Sequence, residues 1–218
     1  FVSGRSHCDS CGKVIAWYDL IPVASYLVLR GRCRYCHSKI PVRGFFIEIF
    51  GGLSGVFCFY RFGFEYETIL MFVITMILLA ITMIDFDTMI IPDGLNIAMF
   101  LVCLVLMFVR QMSLVDSIIG MFCISLPMFL LNLVIPDSFG GGDIKLMFAS
   151  GIALGWKYSL LAAFIGVLIA GIYCIYLLLT KKVDKKGHIA FGPYLSIGIF
   201  IALCYGYEIV SWYLNLLM

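Results

Sequence analysis

Two aspartates sit where long apolar runs end, Asp85 within Met83-Ile84-Asp85-Phe86-Asp87 and Asp143 within Gly140-Gly141-Gly142-Asp143-Ile144-Lys145. A pair of carboxyl groups can hydrolyse a peptide bond. The ionised one draws a proton from water, the protonated one polarises the scissile carbonyl, and proximity lets both forms coexist. An ionisable group at a membrane is expensive unless solvated or paired, so each aspartate is read first as functional. They are 58 residues apart, and helix packing has to bring them together. The glycines ahead of Asp143 permit close backbone approach and turns that a side chain would block, and such a loop can take an extended peptide alongside. The blander reading makes Asp143 a helix N-cap, with Asp87, Asp93, Asp116 and Asp137 as further caps or solvated loop groups. Glu48 and Glu208 fall inside apolar runs, where either could serve a polar pocket, with snorkelling or an interhelical hydrogen bond as the favoured reading. Lys145 points to another side of its helix from Asp143.

A second constellation is Cys8-x2-Cys11 and Cys33-x2-Cys36, two knuckles separated by 21 residues. This spacing suits four thiolates around one tetrahedral zinc ion. A cap of some 40 residues has too small a core to fold alone, so the expected role of the metal is structural. Four filled ligand positions leave no place for a reactive water. Lys13, Arg30, Arg32 and Arg34 offset the thiolate charge, and His7 and His37 read as surface residues. The other five cysteines, Cys58, Cys103, Cys123, Cys174 and Cys204, lie singly in apolar runs as small hydrophobes.

The elements that must position these groups are membrane helices. Of 218 residues, 63% are hydrophobic and 13% charged, with a mean hydropathy of +1.07, far more apolar than a soluble domain. The runs approach the roughly 20 residues that cross about 30 Å of hydrocarbon, and none alternates as a barrel strand would. The polar and basic opening from Ser3 to Cys11 predicts no cleavable signal peptide. Helices are expected at about 45–60, 68–84, 93–109, 115–134, 143–156, 159–179 and 194–217. Pro92 suits the first position of a helix, so the Asp85 segment ends one helix and turns into the next. The fifth run, at 1.5 Å per residue, spans only about 21 Å. It reads as a short span, with a re-entrant segment as the alternative.

Orientation follows from lysine and arginine. Seven lie in the first 43 residues and four between Lys181 and His188, so both segments are cytoplasmic by the positive-inside rule. Threading seven helices from an inside start leaves Arg61, Arg110 and Lys157 outside, and puts both aspartates at the cytoplasmic face. Trp17, Tyr18, Trp156, Tyr158 and Trp212 read as interfacial anchors. The expected fold is an all-α polytopic membrane protein of about seven transmembrane helices, with a cytoplasmic four-cysteine zinc-binding cap at 1–43 and a helical peptidase domain at 44–218.

Taken in order, Cys8-Asp9-Ser10-Cys11-Gly12, Trp17-Tyr18-Asp19-Leu20-Ile21-Pro22-Val23, Arg30-Gly31-Arg32-Cys33-Arg34-Tyr35-Cys36, Ile84-Asp85-Phe86-Asp87 running to Ile91-Pro92-Asp93, Gly140-Gly141-Gly142-Asp143-Ile144-Lys145 and Phe191-Gly192-Pro193-Tyr194 resemble the successive signatures of type IV prepilin peptidases. The resemblance implies a membrane aspartic endopeptidase. It would cut the short basic leader from prepilins or pseudopilins at the cytoplasmic face, usually after a glycine. The family's catalytic pair falls on Asp85 and Asp143. Many members also methylate the new amino terminus with S-adenosylmethionine, and the cysteine tetrad is a family feature often tied to zinc. Members usually carry a further transmembrane helix ahead of the cysteines, whereas this chain starts at Phe1. The implied partners are prepilins or pseudopilins and the lipid bilayer, with no nucleic acid, and the acidic loops around Asp87, Asp93 and Asp137 would attract a basic leader.

Three other readings are open at this stage. A presenilin-like GxGD protease would hold its first aspartate deep inside a helix. A methyltransferase without peptidase activity would survive loss of either aspartate, and an ion-coupled transporter would place its carboxylates at the midplane.

Overall fold

The computed structural model describes residues 6–136, 138–180 and 190–217. Arg5, Asp137, Lys181, Lys182, Lys185, Lys186 and His188, which enter the charge argument, lie outside the described residues. The chain divides into two compact units, Phe1–Phe57 and Cys58–Met218.

The first unit holds a single 3-10 turn at Trp17–Leu20, the short helix α1 (Ala24–Val28) and most of α2 (Val42–Phe62). Its two cysteine knuckles share one backbone plan. The Cys8 carbonyl accepts the N–H of Gly12 at 2.8 Å, and the Cys33 carbonyl that of His37 at 3.0 Å. The residue after each second cysteine is left-handed, Gly12 at φ 68° and His37 at φ 56°. Short bridges, His7 to Val14 and Arg32 to Lys39, close the two loops. Tyr26 stacks on Phe45 at 4.7 Å, and Arg34 grips Asp19 through two hydrogen bonds of 2.7 and 2.6 Å. That pair holds the Asp19 carboxyl below the usual carboxylate range, chiefly through the hydrogen bonds from Arg34. Glu48 accepts the backbone N–H of Val23 at 2.7 Å. Val23 stands at φ 63°, a conformation that a β-branched residue rarely adopts, so Glu48 holds a strained entry to α1.

The second unit contains the end of α2, then α3 (Tyr66–Thr88), α4 (Asp93–Val109), α5 (Leu114–Val134), α6 (Gly141–Leu179) and α7 (Gly192–Leu217). Among the described residues five helices, α2, α3, α5, α6 and α7, are long and apolar enough to cross a membrane, and α4 is a shorter apolar helix. Among the described residues there is no β-strand. The expectation of separate helices at 143–156 and 159–179 meets one element of 39 residues. Straight, it would run about 58 Å, twice the hydrocarbon thickness. Gly155, at φ 67° and ψ 176°, breaks it.

Packing partners show what the break does. From Ile144 to Gly155 the chain runs along α5 in the opposite sense: Phe148 meets Phe122, and Gly151 and Gly155 meet Gly120. Beyond Gly155 it runs antiparallel to α7, with Tyr158 at Gly206, Ala162 at Gly198, Gly166 at Leu195 and Tyr173 at Tyr194. Because Asp143 and Gly192 both belong to one end of the bundle, the outgoing arm leaves that end and the return arm comes back to it. Gly155 therefore reverses the chain, and the two sequence-expected helices are the arms of a hairpin. Only glycine fits the site, since its φ is positive and a Cβ would drive into the Asp116 carboxylate. Gly120 and Gly151 let α5 and the outgoing arm touch backbone to backbone, as a Cβ on either would enter the other's carbonyl oxygen.

The opposite end of this unit is held by two cations. Arg110, closing α4, donates to Glu67 at 2.6 Å and to the Leu203 carbonyl at 3.2 Å. Arg61 donates to Glu208 and to the Cys204 carbonyl at 3.1 Å. Glu208 is thereby an ion-pair partner. Tyr158 is half-buried against α7, while Trp17, Trp156 and Trp212 are exposed.

Candidate active site

Asp85 lies in the last full turn of α3, one turn before the helix closes on Met89, a left-handed residue at φ 53° whose N–H returns to the Asp85 carbonyl at 2.9 Å. Asp143 lies in the first turn of α6, and its N–H reaches the Gly140 carbonyl at 3.0 Å. Gly140 is the N-cap of α6, so Asp143 is not the cap of the blander reading but the third residue inside the helix. Pro92 likewise precedes the first helical residue, Asp93, by one position. The two carboxylates thus stand at one end of the bundle, on a helix that is ending and a helix that is beginning.

Both are buried, Asp85 at 4% and Asp143 at 6% exposure, and Asp143 lies close enough to Asp85 to feel its charge. The Oδ2 of Asp85 accepts the N–H of Gly192 at 3.0 Å. Gly192 opens α7, so the carboxylate meets an orphan donor at the positive end of a helix. A Cβ on Gly192 would fall 2.8 Å from that same oxygen. The Oδ1 of Asp143 is buried and finds no hydrogen-bond partner among the described residues.

Ile91, on the turn between α3 and α4, is the shared spacer. A Cβ on Gly142 would come within 2.7 Å of the Ile91 Cβ, and one on Gly192 within 3.2 Å of its Cδ1. The glycine next to Asp143 and the glycine bonded to Asp85 are therefore pressed on one side chain. Phe139 and Phe191 meet beside them with ring centroids 6.0 Å apart. Sequence reasoning marked Phe191-Gly192-Pro193-Tyr194 without a role for it. The signal was a Gly-Pro pair opening an apolar run, where an unpaired N–H faces outward.

Other candidates have separate duties. Lys145 pairs with Asp93 at 2.6 Å, both exposed. Asp116 packs on Gly155 at the far end, and Asp87 lies exposed in the last turn of α3. Asn96, which the sequence reading passed over, is buried on α4 and donates from Nδ2 to the Gly142 carbonyl at 3.5 Å.

In the first unit, the Sγ atoms of Cys8, Cys11, Cys33 and Cys36 all lie within 4.8 Å of one another, and none is in a disulfide. Four sulfurs at about 2.3 Å from a tetrahedral zinc ion are about 3.8 Å apart. The Cys8 and Cys36 sulfurs are 3.9 Å apart. Backbone hydrogen bonds from Ser10 and Cys11 bring the Cys8 thiol down to about 6. At Cys11 a backbone bond from Lys13 pulls downward, but desolvation and the Cys36 and Cys8 sulfurs outweigh it and push the thiol up to about 11. Such a cluster can be fully ionised only around a cation, so the donor set fits zinc. The remaining cysteines follow expectation in Cys58, Cys103 and Cys204, which are buried, while Cys174 is exposed.

A bundle of apolar helices long enough to cross a membrane, with two buried carboxylates at one end and a four-sulfur cluster in the first unit, is that of a multi-pass membrane protein. Residues 1–62 match the model of the bacterial Peptidase A24 N-terminal domain, and residues 72–175 match that of the type IV leader peptidase family. The chain belongs to the type IV leader peptidase family. It is similar to the prepilin leader peptidase/N-methyltransferase of Aeromonas salmonicida strain A449, with 32% identity over 98% of this chain and 76% of the relative. The protein of that name from Aeromonas hydrophila is 33% identical over 97% of this chain and 75% of its own. That of Vibrio cholerae serotype O1 is 30% identical over 83% and 78%. No solved structure matches the chain.

Proposed function

We propose that this chain is a prepilin peptidase, cutting the basic leader from type IV prepilins or pseudopilins at the cytoplasmic face of the bacterial inner membrane, with Asp85 and Asp143 as the catalytic pair. The observation that carries the proposal is the burial of both carboxylates at one end of the bundle, where Gly192, bonded to Asp85, and Gly142, next to Asp143, pack on the one side chain of Ile91. A water between them gives a proton to the ionised carboxylate as its oxygen attacks the scissile carbonyl carbon. The protonated carboxylate donates to the carbonyl oxygen. Collapse of the tetrahedral diol breaks the C–N bond: one hydroxyl returns its proton to the carboxylate that had donated, and the departing amine takes the proton that came from water, so the pair ends with the one proton it began with. The two roles belong to the dyad jointly, because such titrations are coupled.

The cap at 1–43 would hold zinc through Cys8, Cys11, Cys33 and Cys36, and 44–218 would form the peptidase domain. Bound there, zinc would cross-link the two knuckles, and the four cysteines would leave no open position for substrate. The orientation rests on the basic residues of the cap and of 181–188. By kinship with relatives named N-methyltransferase, the proposal extends to methylation of the new amino terminus from S-adenosylmethionine. The position of Asp85 near a helix end speaks against the presenilin-like arrangement and against a midplane ion pathway. Incubating the purified enzyme with a prepilin, with and without S-adenosylmethionine, and reading the product by mass spectrometry tests both activities. Loss of the leader reports peptidase action and gain of one methyl group the transfer.

A further inference from the structure

A groove of about 370 Å³ opens between α4 and the outgoing arm of α6, its α6 wall beginning at Lys145, two residues on from Asp143. Its mouth holds the Asp93–Lys145 ion pair and Asn96, and its deeper walls are Ile97, Phe100 and Phe148. The gradient from polar to apolar follows from helix direction. Both helices start at the end of the bundle that carries Asp143 and run away from it, so later residues lie deeper in the membrane. Phe100 and Phe148 stack nearly parallel, 10° between planes with centroids 6.1 Å apart, and floor the apolar part.

Asn96 is the unexplained group. It is 5% exposed, its Nδ2 reaches the Gly142 carbonyl next to Asp143, and its Oδ1 is buried with no partner among the described residues. A buried amide oxygen left without a donor carries a desolvation penalty, so a ligand that brings an N–H is favoured there.

We propose that this groove seats the substrate segment that follows the scissile bond, with Asn96 Oδ1 accepting a backbone N–H of that segment and Ile97, Phe100 and Phe148 receiving its apolar side chains. The proposal rests on the peptidase reading of Asp85 and Asp143 and adds a residue that determines substrate binding. An extended backbone at the mouth brings the carbonyl to the dyad, and the apolar continuation stays in the depth at which a membrane-embedded substrate carries it. Asn96 then reads the chain between the two.

Two measurements on the full-length enzyme test this. Asn96→Leu keeps the volume and removes the acceptor. It is expected to raise KM for a full-length prepilin about fivefold, as for one lost hydrogen bond, with kcat within about twofold. A photo-crosslinking phenylalanine analogue at Ile97, in an Asp143→Asn enzyme that holds its substrate, is expected to capture the prepilin far more than the same probe at Phe164 on the return arm. An unchanged KM overturns the proposal, as does a fall in kcat at constant KM, which would make Asn96 a support for the Gly142 loop. Equal capture at the two positions also overturns it, and that arm stands even if Asn96→Leu fails to fold. If Asp143→Asn still cleaves, the dyad is wrong; if the dyad holds and Asn96→Leu behaves as wild type, only the groove is.

Discussion

Gly192 gives its backbone N–H to Asp85 across a 3.0 Å bond, joining the end of α3 to the start of α7 over 107 residues of sequence. The bond places a carboxylate at a helix N-terminus, and the missing side chain of Gly192 is what makes room for it. Asp85 is thus positioned by backbone, which has little freedom to drift.

Gly192→Ala tests that relationship. The new Cβ would press on the carboxylate oxygen that takes the hydrogen bond. A displacement of about 1 Å can cost about 100-fold in rate, so kcat for prepilin cleavage is expected to fall by about that factor. Helix content by circular dichroism is expected to hold.

The Arg110–Glu67 pair at the opposite end is half-buried, at 23% and 21% side-chain exposure. Removing one partner leaves the other uncompensated, so Glu67→Leu or Arg110→Leu is expected to lower stability by about 2–4 kcal/mol, discounted to the lower figure for partial solvation. The double variant is expected to lose less than the sum. Thermal unfolding in detergent across the mutant cycle measures this coupling.

Zinc removal bears on a different unit. One zinc per chain is expected, with an X-ray absorption spectrum of four sulfurs at about 2.3 Å. Cys8→Ser or Cys33→Ser is expected to release the ion and expose the cap to proteolysis. The dyad variants are expected to keep it.

Acidity acts on the dyad with two opposite signs. On the proposed mechanism, activity needs one proton shared between Asp85 and Asp143. It is expected to fall in acid, where both are protonated, and in base, where both are ionised. The profile of kcat/KM against pH is therefore expected to be bell-shaped, with both limbs belonging to the pair.

Much of this site was legible in the chain. Asp85 and Asp143 stood out because charge at the end of an apolar run needs a reason, and the cysteine spacing announced a four-sulfur cluster. What hydropathy could not give was the device that turns the chain. The run around Gly155 reads as two helices by length, yet the reversal depends on one positive φ and on Asp116 seated against it. Gly192 and Asn96 were hidden for a related reason: their roles lie in an orphan N–H and an orphan oxygen, which appear only when distant segments pack. Lys145 and Glu208 each found a single charged partner, Asp93 and Arg61, that no local spacing could have named.

The most direct test is cleavage of a full-length prepilin by Asp85→Asn and Asp143→Asn, each carried in the otherwise intact chain with zinc content and helix content checked. Both substitutions keep size and hydrogen-bonding capacity and remove the titrating proton. Cleavage is expected to fall by about 1,000-fold or more in each, with the double variant no worse than either single, because the two act as one unit. Cleavage at an undiminished rate by either variant would contradict the account.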